Sequence, residues 1–147
     1  MSDESSFAAG TGTALDQFTM PACSKTLGYE FVSVDRDAQT MEVRFTATAD
    51  MVNPMGNVQG GFLMAMLDDV MGSMMVVLTD AKKGPVSVDF HTQFLRPAKV
   101  GVFVGKGRVK HMTNSTVFTE ATLYSTDGEA VASAVQSQRL FPIRGSR

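Results

Sequence analysis

The chain has a single cysteine, no tryptophan and only two histidines in 147 residues. A lone Cys23 excludes an internal disulfide and a cysteine metal cluster, and it fits a reducing compartment. Cys23 is read as a small core residue. His91 and His111 are too few for a three-histidine zinc site, so no metal is expected. Charge is also sparse: 13 basic and 15 acidic residues leave a formal net charge of −2. Nucleic-acid binders normally carry a basic excess, so that class of partner is not expected. The opening MSDESSFAAGTG has neither a basic nor an apolar run, which argues against a secretory leader and makes a cytoplasmic protein the default. Apolar residues, by contrast, make up 44% of the chain, and Gly and Pro number only 13 and 5. That balance excludes a disordered or fibrous chain. The length suits one domain, able to bury roughly 68–70% of its unfolded surface.

Residues 1–13 are small and polar and are expected to form a frayed tail before a single domain over 14–147. Ala14 to Ser24 is expected to form a short helix. Leu27 to Val34 reads as a strand. Gln39 to Ala47 alternates, with Met41, Val43, Phe45 and Ala47 on one face, and predicts a half-buried strand. A polar loop from Asp50 to Gln59 leads into Gly60 to Thr79, a run that is apolar on nearly every side. Such a helix belongs in an interior. A membrane span is disfavoured by Asp68 and Asp69 at mid-segment, each costing about 2.5–3.5 kcal/mol on insertion scales. Strands are then expected over Val86 to Arg96, Val100 to Lys110, Ser115 to Tyr124 and Ala130 to Phe141, the last two joined by an Asp127-Gly128 hairpin. In the first of these, Val86, Val88 and Phe90 are read on one face and Ser87, Asp89 and His91 on the other.

The order is two strands, a buried helix and four strands with short turns, an α+β pattern with an antiparallel sheet. One sheet covers only part of a helix that is apolar all round, so a second subunit is expected to cover the rest.

Chemistry is concentrated between Asn53 and Asp68. Gly60 and Gly61 open the helix, where first-turn N–H groups lack intrahelical acceptors and carry the positive end of the dipole. Such N–H groups can polarise a carbonyl and hold an oxyanion. Gln59 adds a side-chain amide. Asp68 is a carboxylate among Met66, Leu67, Val70 and Met71, a costly placement that marks a candidate base or nucleophile. Gly60 and Asp68 lie about 12 Å apart along one helix, too far to act on one carbonyl group. Two such helices packed antiparallel about a two-fold axis bring Gly60 of one near Asp68 of the other. Asn53, before Pro54, is most simply a turn residue. Met64, Met66, Met71, Met74 and Met75 serve either as core filling or as an adaptable pocket lining.

With Asn53, Gln59-Gly60-Gly61 and Asp68 at these spacings, and with Gly84-Pro85-Val86-Ser87-Val88-Asp89 followed by Pro97-Ala98-Lys99, the chain resembles the hotdog-fold acyl-CoA thioesterases of the phenylacetic-acid-degradation, or thioesterase-superfamily-4-like, group. The resemblance covers roughly residues 27–141. It implies a hotdog fold, a curved antiparallel sheet wrapped around one long central helix, and a homodimer or dimer of dimers with active sites at the subunit interface. It implies hydrolysis of an acyl-CoA to a free acid and CoA, with no cofactor beyond the CoA in the substrate. Catalytic roles fall to Gly60 and Gln59, which polarise the carbonyl, and to Asp68 of the partner subunit as nucleophile or general base. Asn53, Gly61 and Ser87 would bind substrate. Spacing favours Asp68 over its neighbour Asp69. Gln59 departs from the His usual in this group, although other hotdog thioesterases use Gln at a comparable place. That departure keeps open a non-hydrolytic acyl-CoA-binding protein; a dehydratase or isomerase would need a His beside the helix motif. Arg96, Lys99, Arg108 and Lys110 are either CoA-phosphate contacts or ordinary solvated charges.

Overall fold

The computed structural model describes residues 10–143; residues 1–9 of the expected tail, and 144–147, lie outside the described residues. Thr11 and Gly12 are tied to the Asp16 carboxylate by hydrogen bonds of 2.8–3.0 Å. The expected helix from Ala14 to Ser24 is two shorter pieces, a 3-10 turn at Ala14–Gln17 and a helix α1 at Ala22–Thr26. Pro21 is the reason: it sits in extended backbone (φ −62°, ψ 151°) and disfavours helical geometry at the residue before it. Cys23, on α1, is exposed rather than in the core.

Six antiparallel strands follow, β1 (Glu30–Asp35), β2 (Thr40–Ala47), β3 (Lys83–Phe94), β4 (Gly101–Met112), β5 (Thr116–Ser125) and β6 (Ala130–Pro142). They form one sheet in the order β1-β2-β4-β5-β6-β3. The first strand starts at Glu30 rather than Leu27, because Leu27 still bonds back to Cys23 and Gly28 turns the chain at φ +68°. A Cβ at Gly28 would also lie 2.9 Å from the Thr46 backbone, so glycine is required there twice over. The long helix α2 (Gly60–Leu78) crosses the inner face of the curved sheet. This is the hotdog arrangement.

Leu63, Met66, Leu67, Val70, Met71, Met74, Met75 and Val77 of α2 are buried against Val43 and Phe45 of β2, Phe103 of β4 and Leu123 of β5. Each such side chain contributes about 1.5–3 kcal/mol of apolar transfer energy, more than helix propensity supplies at any position. The helix comes unusually close to β4. A Cβ at Gly105 would sit 2.6 Å from Val70 Cγ2, and one at Gly107 would sit 2.8 Å from Val70 Cγ1. What the sheet leaves uncovered is a stripe at helical spacing, Gly61, Met64 and Asp68, all exposed in the single chain.

The reading of β3 needs correction. A register shift between Ser87 and Asp89 inserts Val88 as an extra residue opposite β6. The bulge reverses the inside-outside parity. Val86 and Val88 are 55% and 62% exposed, while Ser87 and Phe90 both turn toward α2.

Gly105→Ala is expected to lower stability by about 1–3 kcal/mol through overpacking against Val70, read as a fall in the urea midpoint at unchanged slope.

Candidate active site

Asp68 is the polar centre of α2. Ser87 Oγ donates to its Oδ1 at 3.0 Å, and Gln136 Nε2 donates to the same oxygen at 2.6 Å. Gln136 Nε2 also meets Ser87 Oγ at 2.5 Å, which closes a triangle of three side chains from α2, β3 and β6. The bulge at Val88 turns Ser87 inward, and the alternation of β6 does the same for Gln136. Asp68 Oδ2 has no partner among the described residues.

Gln136 is absent from the expected site. Its signal lay in the pattern of β6, where Ala132, Ala134, Gln136, Gln138 and Leu140 share the buried face. A glutamine there must find partners. Gln138 meets Thr119 Oγ1 at 3.5 Å, and Gln136 meets Asp68.

Two hollows converge on Asp68 and Ser87. One, of about 320 Å³, lies under the N-terminal segment between Leu15, Phe18, Pro21, Val76 and Ile143. The other, of about 300 Å³, is bordered by Gly61, Met64, Ala65 and Phe90. The methionines divide accordingly: Met66, Met71, Met74 and Met75 are fully buried, and Met64 borders the second hollow. Another hollow, about 710 Å³, lies on the outer sheet face away from Asp68, over the pairs Glu42–Lys106 and Arg108–Glu120.

The other expected residues gather at the N-terminus of α2. The Gln59 carbonyl accepts from Phe62 N and Leu63 N, whereas the N–H groups of Gly60 and Gly61 have no acceptor among the described residues. The Gln59 side chain does not cap the helix, and its Oε1 lies beside Gly61. Gly60 is packed by the Phe94 ring, which a Cβ would meet at 2.9 Å. Asn53 Oδ1 is engaged in its own loop, accepting from Met55 N at 3.0 Å and Asn57 N at 3.1 Å, so the turn reading describes its oxygen and leaves only its amide nitrogen for a ligand. A single chain therefore brings Asp68 and Ser87 together and gathers Gln59, Gly60 and Gly61 at the helix start, with Gly60 and Asp68 about 12 Å apart along one helix.

Arg96 and Arg108 are paired with Glu129 and Glu120. Both histidines are exposed, and His111 stacks on Phe118 of β5, away from the helix motif. Among the described residues no group of three or more His, Cys, Asp or Glu is placed to hold a metal.

Asp69 differs from Asp68. It is largely buried, and its Oδ2 lacks a hydrogen-bond partner among the described residues. Burial pushes its carboxyl up to about 6; the neighbouring Ser24 hydroxyl, although short of a formed bond, opposes that rise, and the Asp68 charge adds to it. Tyr29, buried and donating to Ser73 Oγ at 2.7 Å, is also pushed up by burial. Ser73 in turn donates to the Asp69 carbonyl at 2.7 Å.

Because the folded Asp69 holds its proton above the ordinary aspartate value of 3.8, its ionisation costs stability as pH rises from about 4 through about 6. Asp69→Asn removes that loss. The variant is expected to gain on the wild type by about 2–3 kcal/mol between pH 4 and pH 7, measured by urea unfolding of both proteins at each pH.

The profile of the thioesterase superfamily matches residues 55–132, more than half the chain. A phenylacetic acid degradation-related protein of Ralstonia eutropha, described as a candidate thioesterase, is 32% identical, with 86% of this chain and 95% of that one covered and a TM-score of 0.80. The Escherichia coli PaaI protein of the phenylacetic acid degradation operon is 23% identical, with 86% and 87% covered and a TM-score of 0.72. A Streptococcus mutans protein solved with acetyl-CoA is 20% identical, with 79% and 90% covered and a TM-score of 0.69; these last two show the fold alone. No curated protein sequence matches the chain. With its hotdog fold, its matched profile and its Ralstonia relative, the chain belongs to the thioesterase superfamily.

Proposed function

We propose that the protein hydrolyses an acyl-CoA thioester to a carboxylic acid and free CoA. The observation that carries this reading is Asp68, a carboxylate on a largely apolar helix, held by Ser87 and Gln136 where two hollows meet. The acetyl-CoA in the Streptococcus mutans relative supports the choice of thioester.

The thioester carbonyl sits on the free N–H groups of Gly60 and Gly61, where donors matched to a developing oxyanion lower the barrier. Gln59 donates its amide to the same region, and the Asn53 amide nitrogen, left over by its loop contacts, is the group assigned to bind substrate. Asp68 comes from the partner subunit. With Oδ1 held by two donors, Oδ2 acts, as base on water or as nucleophile on the carbonyl carbon. In the first route water adds to the carbonyl, Asp68 takes its proton, the carbon–sulfur bond breaks and the CoA thiolate leaves with that proton. No cofactor enters the reaction.

What the single chain leaves bare supports a dimer. β3 is a 12-residue edge strand with Val86 and Val88 exposed, and its Ser87 and Phe90 border the uncovered Gly61–Met64–Asp68 stripe. A long exposed edge is a pairing surface. Two-fold pairing there covers the stripe and sets the two half-sites opposite each other, as a dimer or a dimer of dimers. Asp68→Asn is expected to lower thiol release from acyl-CoAs at least about 1,000-fold with the fold intact, as loss of a catalytic group does. Turnover at the wild-type rate would remove Asp68 from catalysis. A CoA ester bound without turnover by the wild type would instead identify a non-hydrolytic binder, the reading that Gln59 in place of His favours.

Mixing inactive Gly60→Pro with inactive Asp68→Asn under conditions of proven subunit exchange is expected to restore part of the activity, because one interface in a mixed dimer carries both intact half-sites. No recovery would confine the site to one chain.

A further inference from the structure

We infer that Gln136, a residue outside the expected motif, is the positioning residue for Asp68; the inference rests on the hydrolase reading and specifies how that site is kept ready.

The geometry is specific. Gln136 is 3% exposed, on the buried face of β6 between Ala134 and Gln138. Its single amide nitrogen meets both Asp68 Oδ1, at 2.6 Å, and Ser87 Oγ, at 2.5 Å. Its own Oε1 is buried and has no hydrogen-bond partner among the described residues. A glutamine serving only to fill the core has no reason to leave an acceptor bare. The amide turned the other way would set its oxygen against the carboxylate. Orientation is therefore dictated by the negative charge of Asp68, to which an N–H group donates and a carbonyl cannot. The second contact orders Ser87: with its oxygen accepting from Gln136, its hydroxyl proton is directed to Asp68. Two donors on Oδ1 fix the plane of the carboxylate. Gln136 lies behind Asp68 and acts through it, without touching substrate.

Gln138 supplies an internal comparison. It has the same chemistry, lies two residues along the same strand and is 1% exposed, but its contact is to Thr119. Of the groups around Asp68 from the elements packed on it, Ser24, Ser73, Ser87, Gln136 and Gln138 do not titrate in the working range. Asp69 does, and Tyr29 reaches the same region through Ser73. The Asp69→Asn background therefore removes the competing titration.

The test compares Gln136→Met and Gln138→Met, both in the Asp69→Asn background, by kcat, KM and pH profile of thiol release. Loss of a charge-assisted hydrogen bond at Gln136 is expected to lower kcat roughly 10- to 100-fold. KM should stay within about twofold, and the acid limb of the kcat profile should move up. Gln138→Met is expected to lower the urea midpoint comparably and leave the limb in place. If Gln136→Met loses activity only in proportion to folded protein, or the limb stays in place, the positioning role is overturned. Should the wild type release no thiol from any ester, the hydrolase reading fails. Titration of the Asp68 carboxyl by NMR then decides the role by itself: an upward shift in Gln136→Met upholds it, and an unchanged titration overturns it.

Discussion

The depth at which α2 lies in the sheet governs the rest of the molecule. Val70 rests on the bare backbone of β4 at Gly105 and Gly107, closer than any side chain at those positions would permit. A helix seated that deep buries its methionines on the sheet side and brings its opposite stripe level with β3 and β6. Asp68 then falls within hydrogen-bond reach of Ser87 and Gln136. A helix lifted by the width of a methyl group would lose core contacts and pull Asp68 away from both donors. Packing and site geometry are thus set by one contact.

The site itself rests on a compromise between burial and exposure. Asp68 and Asp69 are adjacent, yet the helix turns them into different surroundings. Asp69 enters the space beneath the N-terminal segment, and burial raises its carboxyl to about 6. Asp68 stands at the opening with two donors on one oxygen. Neighbours in sequence with such unequal environments are how a protein assigns different roles to two identical side chains. The N–H groups of Gly60 and Gly61 at the start of α2, without acceptors among the described residues, lie about 12 Å away along the same helix, too far to act on one carbonyl with Asp68 of the same chain.

Much of this was legible in the residues. The alternation of Gln39–Ala47 found β2, the apolar run from Gly60 found α2, and Asp127-Gly128 found the β5–β6 hairpin, because each is a local pattern with a local cause. Asp68 was legible because a carboxylate in an apolar helix is costly, and Gly60 because a helix start exposes N–H groups. Gln136 was not, although the burial pattern of β6 marks it: its partner lies 68 positions away in sequence, and nothing local names that partner. The bulge at Val88 was hidden for a similar reason. A strand of alternating residues looks regular until a neighbouring strand fixes its register.

The sequence by itself determined the elements, the single hydrophobic helix, the two acids within it and the family motif, because periodicity, capping and the cost of a buried charge act over a few residues. Only the tertiary structure decided which acid stands at the opening, which side of β3 carries Ser87, and that Gln136 and Ser87 hold one oxygen of Asp68. Those outcomes depend on strand register and on how closely backbones approach, which are set by contacts between residues distant along the chain.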